Sequence, residues 1–371
     1  MHSYLTQEEQ SIRQISDLKF GIPIIVKNKN KNALIISIET LTAENFEKLK
    51  TFFSLSKPDP YIAVTKKRAD LLKARVYEND IARLKIQKKI DLNWIKATAD
   101  PSLDLEYPMK GPYESFRNGD SEIARIGIKY CKEAELLPAT LVIPIDGETA
   151  KKLEGEGLLY QNISNSIISK KSNPNPVLIS SGRVPLRYGL SSKVSVFRDP
   201  ISLSEHYAVE IGALDFSQSI LTRLHSACFT GDILHSLKCD CGEQLDLAIN
   251  KIKKAKCGII LYLNQEGRGI GLANKMRAYK LQDAGLDTFE SNHQLGFEDD
   301  ERDFTVGTKI LKELGVKKID LLTNNPLKVA NFKNSDIQIV SRVPLVTRTT
   351  NENKQYLETK KRKSGHIFAQ N

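Results

Sequence analysis

Three of the chain's five cysteines, Cys228, Cys239 and Cys241, fall within fourteen residues of one stretch, RLHSACFTGDILHSLKCDCGEQ at 223–244. The spacing is C-x10-C-x-C. Two thiolates one residue apart converge on a single ion only where the backbone turns sharply, and Gly242, just after Cys241, permits such a turn. Structural zinc is closed by four protein ligands, whereas catalytic zinc keeps a position open for water or substrate. Three sulfurs without an obvious fourth therefore point to an open site. His225 or His235 as a fourth ligand would make the site structural, and three unrelated buried thiols would make it no site at all.

Three further loops carry polar groups able to act on a ligand. Residues 265–271, QEGRGIG, lie between a strand pattern and a helix pattern. The glycines there let backbone N–H groups approach a phosphate, although the order fits neither dinucleotide-binding nor P-loop spacing. Residues 298–303, EDDERD, set five carboxylates around one arginine ahead of a helix, a composition most often found in a solvated cap. Residues 323–328, TNNPLK, follow a strand at the end where open α/β sheets hold their ligands.

The elements that position these loops can be read from periodicity. Segment 258–263 is a buried-strand pattern, 319–323 and 337–341 read as further strands, and 193–197 and 207–211 alternate as antiparallel strands do. Helix patterns cover 242–256, 272–281 and 304–314, so this half of the chain reads as a layered α/β domain. Ahead of it, strands at 21–26, 33–38 and 140–145 alternate with helices at 42–53 and 120–134, an α+β domain in which Cys131 is a packing thiol. Between them SKKSNPNP at 169–176 is turn and linker chemistry. The expected division is 1–150, a linker at 151–177, and 178–371.

Of the 371 residues 40% are apolar and 27% charged, ordinary for a globular protein, and the net charge of +10 favours an anionic partner. The opening MHSYLTQEEQ lacks the apolar core of a signal peptide, no run suits a membrane span, and the few cysteines argue against a secreted disulfide framework. A soluble cytoplasmic protein is expected. The basic tail KKRK at 360–363 reads as a solvated terminus.

Taken together, ACFTGDILHSLKCDCGEQL, QEGRGIGLANKMRAYKLQD, NHQLGFEDDERDF, LLTNNPLKV and YLETK make the chain from Leu178 onward resemble GTP cyclohydrolase II. That enzyme opens the guanine ring of GTP at the start of riboflavin synthesis, releasing formate and pyrophosphate. The resemblance implies zinc held by Cys228, Cys239 and Cys241, with water in the open position and Mg²⁺ with the phosphates. It assigns Asp300 as proton acceptor and Tyr279 to ring opening. Arg223, Leu224, His225, Ser226, Ala227, Gln244, Glu266, Gly267, Arg268, Thr288, Thr323 and Lys328 match positions that contact GTP. Arg302 stands where the family mechanism places a nucleophile, yet a guanidinium has no free lone pair, so a phosphate clamp is the better physical reading. A homodimer is implied, and no membrane or nucleic-acid partner. The competing reading is a catalytically silent protein with a structural zinc site that binds nucleotide or RNA through its basic surface.

Ala227 departs from the family, which has glutamate there, and so does the residue before Gln265, often basic in relatives. The first domain resembles dihydroxybutanone phosphate synthase in GIPIIV, SIETLTAENF and NGDSEIARIGIKYCKEAELLPATLVIPI. That enzyme holds Mg²⁺ with an acidic stretch after its early strand. Here the place reads KNKNKNALIIS, without a carboxylate, and the family's Gly-His-Thr-Glu is Gly119-Asp120-Ser121-Glu122 without its histidine. The expectation is a degenerate domain.

Overall fold

A computed structural model describes residues 4–86, 91–163, 175–187, 189, 191–200, 202–333, 335–345 and 347. The tail at 360–363 and most of 169–176 lie outside them. The chain is mixed α/β with two sheets and divides into two compact units, Met1–Ser172 with Ala273–Glu301, and Asn173–Leu272 with Arg302–Asn371.

In the first unit six described strands run in the order Ile81–Lys85, Tyr61–Thr65, Ala139–Ile145, Lys31–Ser37, Ile24–Asn28, Tyr160–Asn162. Their side chains alternate between two cores. Ile25, Leu34, Ile36, Ile62, Val64 and Leu141 form one face. Ile24, Val26, Ala33 and Ile35 form the other, against Ile123, Ile126 and Tyr130 of helix Glu122–Glu133. Each of these large apolar side chains contributes about 1.5–3 kcal/mol on burial. The polar KNKNKN stretch at 27–32 is a tight turn with its ends in the strands. It extends both flanking strands into a hairpin with Asn28 opposite Lys31, turning at Lys29 and Asn30. Thr42 caps helix Ala43–Lys50 by accepting from the Asn45 N–H at 3.2 Å, and Phe46 and Leu49 supply its buried face.

Residues 151–163, read from the sequence as linker, include the end of helix Gly147–Gly155 and strand Tyr160–Asn162. Ala150 and Leu153 are apolar enough to bury, and Tyr160–Asn162 adds to the sheet in parallel with Ile24–Asn28. The first fold therefore reaches beyond residue 150.

The second unit holds seven described strands in the order Gln338–Val343, Lys318–Leu322, Ile220–Ser226, Gly258–Leu263, Glu205–Ile211, Ser192–Arg198, Val177–Arg183. Ile220–Ser226 lies between Gly258–Leu263 and Lys318–Leu322, parallel to both. Parallel strands with both faces covered are near-continuous apolar runs, and GIILYL at 258–263 is one. Ile260 packs on helix Cys241–Ala255 through Ala248 and Ile252, while Ile259 and Leu261 meet Val306, Ile310 and Leu311 of helix Thr305–Glu313. The parallel arrangement brings the C-terminal ends of three strands together, at Ser226, Leu263 and Leu322. Among the described residues no helix is long and apolar enough to cross a membrane.

Candidate metal centre

The cysteine stretch begins where strand Ile220–Ser226 ends. Cys228 closes the following turn, its sulfur accepting from the Gly231 N–H at 3.3 Å, and Cys241 opens helix Cys241–Ala255. A helix N-terminus favours a thiolate through its unpaired N–H groups. The sulfurs of Cys228, Cys239 and Cys241 lie within 4.8 Å of one another, the only such group of potential ligands among the described residues, and neither His225 nor His235 joins them. Two thiolates on a tetrahedral zinc at about 2.3 Å stand about 3.8 Å apart. The Cys228 and Cys239 sulfurs are 3.8 Å apart. The donor set thus fits a soft tetrahedral ion with one position left over.

Close backbone approach makes the pocket for the ion. A Cβ on Gly231 would come within 2.8 Å of the Cys239 sulfur, and one on Gly242 within 2.3 Å of the Gly231 carbonyl oxygen. Gly242 is not in the left-handed region. What it supplies is room for the facing loop, rather than the sharp turn expected from the sequence.

A carboxylate outside the ligand set ties this loop together. Asp232 accepts from the Cys228 N–H at 2.9 Å and the Tyr262 hydroxyl at 2.9 Å, and meets His225 Nε2 at 3.0 Å. Burial holds His225 below the ordinary imidazole value, and burial likewise raises the Tyr262 phenol. A neutral His225 facing a carboxylate carries its proton on Nε2, which leaves Nδ1 as a buried acceptor. Sequence reasoning missed Asp232, Tyr262 and Asp240; an aspartate in a turn carries no signal until the fold brings its donors to it. Asp232→Asn is expected to weaken metal binding about 10–100-fold, as loss of outer-shell partners does. Competition against a chromophoric chelator would measure this, and an unchanged affinity would contradict the role.

Cations gather in the same unit. Arg223 is buried on the central strand, donating to Gln244 Oε1 at 2.5 Å and the Leu322 carbonyl at 3.0 Å. Burial pulls it down to about 10, leaving it a cation at neutral pH. Lys328 donates to the Leu224 carbonyl at 2.7 Å, and Arg302 to Ser226 Oγ at 3.3 Å. Both cations lie over the Phe304 ring, at 5.1 and 4.8 Å. Asp240, between the two closely spaced cysteines, accepts from Gln244 Nε2 at 2.6 Å. Thr323 is buried at the end of Lys318–Leu322. Arg223 Nε, His225 Nδ1 and Gln265 Oε1 are buried without a hydrogen-bond partner. Such groups cost about 1–3 kcal/mol each when left unmet, and four more of them, on Ser37, Glu78, Ser115 and Asn292, lie in the first unit.

Glu266–Gly269 is a strained turn. Gly267 and Arg268 both take left-handed backbone angles, φ 62° and 65°, which a non-glycine residue adopts at a cost and most often at functional sites. Glu266 Oε2 accepts from the Phe229 N–H at 2.6 Å, behind Cys228. Ala227 donates its N–H to Leu263 and presents no carboxylate. Tyr279, on helix Gly271–Asp283, Thr288, opening helix Thr288–Gln294, and Asp300 belong to the first unit.

The sequence profile of GTP cyclohydrolase II matches residues 178–344. GTP cyclohydrolase-2 of Azospirillum brasilense is 35% identical over 339 residues, 90% of this chain and 87% of that protein. GTP cyclohydrolase-2 of Histophilus somni is 48% identical over 194 residues, 52% of this chain and 89% of that protein. The riboflavin biosynthesis protein RibBA of Endomicrobium trichonymphae is 41% identical over 253 residues, 68% of this chain, and the match spans only 57% of its length.

Proposed function

The chain belongs to the GTP cyclohydrolase II family, and we propose that it hydrolyses GTP. The guanine imidazole ring opens, formate and pyrophosphate leave, and a diamino-ribosylaminopyrimidinone phosphate remains, the first step of riboflavin synthesis. The observation that carries this reading is the convergence of three sulfurs in one unit with the buried cations Arg223 and Lys328, and Arg302.

Cys228, Cys239 and Cys241 would hold one zinc. When bound, zinc supplies a Lewis acid that makes water nucleophilic near neutral pH. The chain's own groups do the rest. His225 Nδ1, a buried acceptor, and Arg223 Nε, a buried donor, are available to a purine edge. Leu224 and Ser226 to Ala227 line the strand end, with Gln244 behind them. Glu266, Gly267 and Arg268 form the turn assigned to the substrate, in which the Gly267 N–H is held by Glu266 Oε1 at 2.9 Å. Arg302 and Lys328 hold the phosphates as cations, a charge that Mg²⁺ would share when it enters with the nucleotide, and Thr288 and Thr323 complete the contacts. Asp300 takes the proton, and Tyr279 serves ring opening. We assign a cytoplasmic homodimer. Its support is the edge strand Val177–Arg183, where Val177, Leu178 and Ile179 are exposed as a second copy would cover them.

The amino-terminal fold is proposed to be inactive as a dihydroxybutanone phosphate synthase. Asn28 donates to Asp120, whose other oxygen accepts from the Glu122 N–H at 2.9 Å, and Glu122 pairs with Arg125 at 2.5 Å. The acids near the hairpin are engaged with protein partners, and a hard cation needs several oxygen ligands.

One assay tests both statements. Zinc-loaded protein is given GTP, ATP, or ribulose 5-phosphate with Mg²⁺, and formate is measured. Formate is expected from GTP with equivalent pyrophosphate, about 100-fold or more slower from ATP because mismatched buried polar groups are costly, and not at all from ribulose 5-phosphate. Silence on GTP would favour the non-catalytic nucleotide binder.

A further inference from the structure

Residues 273–301 carry Tyr279, Thr288 and Asp300, yet they fold as part of the same compact unit as the amino-terminal sheet. We infer that the amino-terminal fold is a positioning scaffold for this segment, with Glu39, Asp100 and Lys132 setting the helix that bears Tyr279 and the turn that bears Asp300. The inference deepens the cyclohydrolase reading and rests on it for the roles of those two residues.

Two groups of contacts bracket the segment. At its start, Asn274 is fully buried and donates to the Glu135 carbonyl at 2.8 Å. Arg277, two positions before Tyr279 on the same helix, bonds Asp100 at 3.1 Å and pairs with Glu39 at 3.0 Å. It also donates to Asn274 Oδ1 at 2.7 Å, so the two anchors are linked. Glu39 is itself fixed, because its second oxygen accepts from the Leu137 N–H at 2.7 Å. These side chains are about a fifth exposed or less, at 22%, 16% and 17% for Arg277, Asp100 and Glu39. Ion pairs screened this little hold geometry better than surface pairs do.

At the other end, Gly296 runs so close to the sheet that a Cβ would meet Thr65 Oγ1 at 2.6 Å and Pro138 at 2.9 Å. Phe297 is fully buried, with the Lys132 ammonium 5.8 Å from its ring centre. Lys67 reaches the Phe297 carbonyl at 3.1 Å and Glu298 at 2.7 Å. That hydrogen bond holds Glu298 below the usual carboxylate range. Lys132 pairs with Glu301 at 2.6 Å, and the same Glu301 oxygen accepts from the Glu298 N–H at 2.9 Å. The turn from 298 to 301 is thereby closed on itself and pinned to Lys132, with Asp300 inside it.

The retained fold thus has a use that requires no chemistry of its own. A carboxylate such as Glu39, unable alone to hold a metal, is spent on an arginine beside a proposed catalytic tyrosine. A scaffold of this kind affects turnover more than binding, because misplacing a reacting group by about 1 Å can cost about 100-fold in rate.

The test uses the full chain with zinc bound. Lys132→Met and Arg277→Met are each expected to lower kcat for formate release from GTP about 10–100-fold, with KM changed less than about 3-fold and zinc content as in the parent. Lys132→Arg keeps the charge and should recover most of the loss. Hydrogen–deuterium exchange should rise within 273–301 in both methionine variants. Parent-like kcat and exchange in both would overturn the scaffold. So would a loss that Lys132→Arg does not recover, or one that takes zinc and global folding with it, which would make these pairs structural only. A parent protein silent on GTP overturns the cyclohydrolase reading instead, and the exchange measurement still reports whether Lys132 and Arg277 hold the segment.

Discussion

Cys241→Ser is expected to abolish formate release from GTP and to release the metal with it. Structural zinc sites bind with about 10–16 kcal/mol. Divided among three thiolates, that is roughly 3–5 kcal/mol for each, or about 100-fold to 10,000-fold in affinity. The backbone of Gly231 packs closely on this residue, since a Cβ there would come within 2.8 Å of the Cys241 Cβ. Serine keeps the shape and loses the soft donor. Without metal the three thiols share hydrogen bonds, and Cys239 and Cys241 resist ionisation. The bond with Cys228 pushes Cys239 up to about 11, and bonds with Cys228 and Cys239 raise Cys241. Groups held protonated must lose protons when the ion binds, so affinity should climb with pH between about 6 and 8 and fall in acid, about tenfold per pH unit for each proton displaced. Metal content after dialysis at a series of pH values would measure both effects. Cys257→Ser, outside the converging set, is the control and should load normally. A Cys241→Ser protein that keeps zinc and activity would remove the metal centre from the reading.

How much of this could be read from the chain alone depends on the distance over which each feature is encoded. The C-x10-C-x-C spacing is local, and the three sulfurs do converge. The Thr42 cap and the buried pair Phe46 and Leu49 are local too, and that helix was legible. The turn in KNKNKN was legible as well, at Lys29 and Asn30, but how far the strand ends pair across it was not, because a polar run looks the same paired or unpaired. The last turn of helix Gly147–Gly155 reads as linker because the helix buries only Ala150 and Leu153 and shows a polar face otherwise. The acidic run at 298–303 read as a solvated cap. Asp303 stands just ahead of the helix and accepts from the Thr305 N–H at 2.9 Å, the helix itself having no side-chain cap, and Glu298 and Glu301 are bonded to Lys67 and Lys132. Lys132 and Glu301 are 169 positions apart. No periodicity or motif encodes such a pairing, and for the same reason nothing local places 273–301 in one unit with the amino-terminal sheet. Asp232 was invisible likewise: its donors come from two strands and a turn.

Arg302→Met is expected to lower kcat/KM for GTP about 100-fold to 1,000-fold, the usual cost of losing one preorganised charge that meets a developing anion, while zinc stays bound. Arg302, Lys328 and Arg223 are cations of one unit, two of them sharing the Phe304 ring, and the charge on Arg302 itself works against that of buried Arg223. Asp240 and Asp232 face Arg223 and offset part of that charge, and a guanidinium's planar fork suits the oxygens of a nucleotide's phosphates. Arg302→Lys separates a clamp from a nucleophile. It keeps a point charge and loses the planar fork that grips two oxygens. A clamp should therefore retain about a tenth of the activity and weaken inhibition by added pyrophosphate, with the methionine variant weaker still. A nucleophilic guanidinium predicts something else: both variants equally dead, unchanged pyrophosphate inhibition, and a phosphorus–nitrogen adduct in the parent under rapid quench. Parent-like turnover in Arg302→Met would dismiss both roles, and loss of zinc in that variant would make Arg302 a support for the loop at Ser226, which it touches at 3.3 Å.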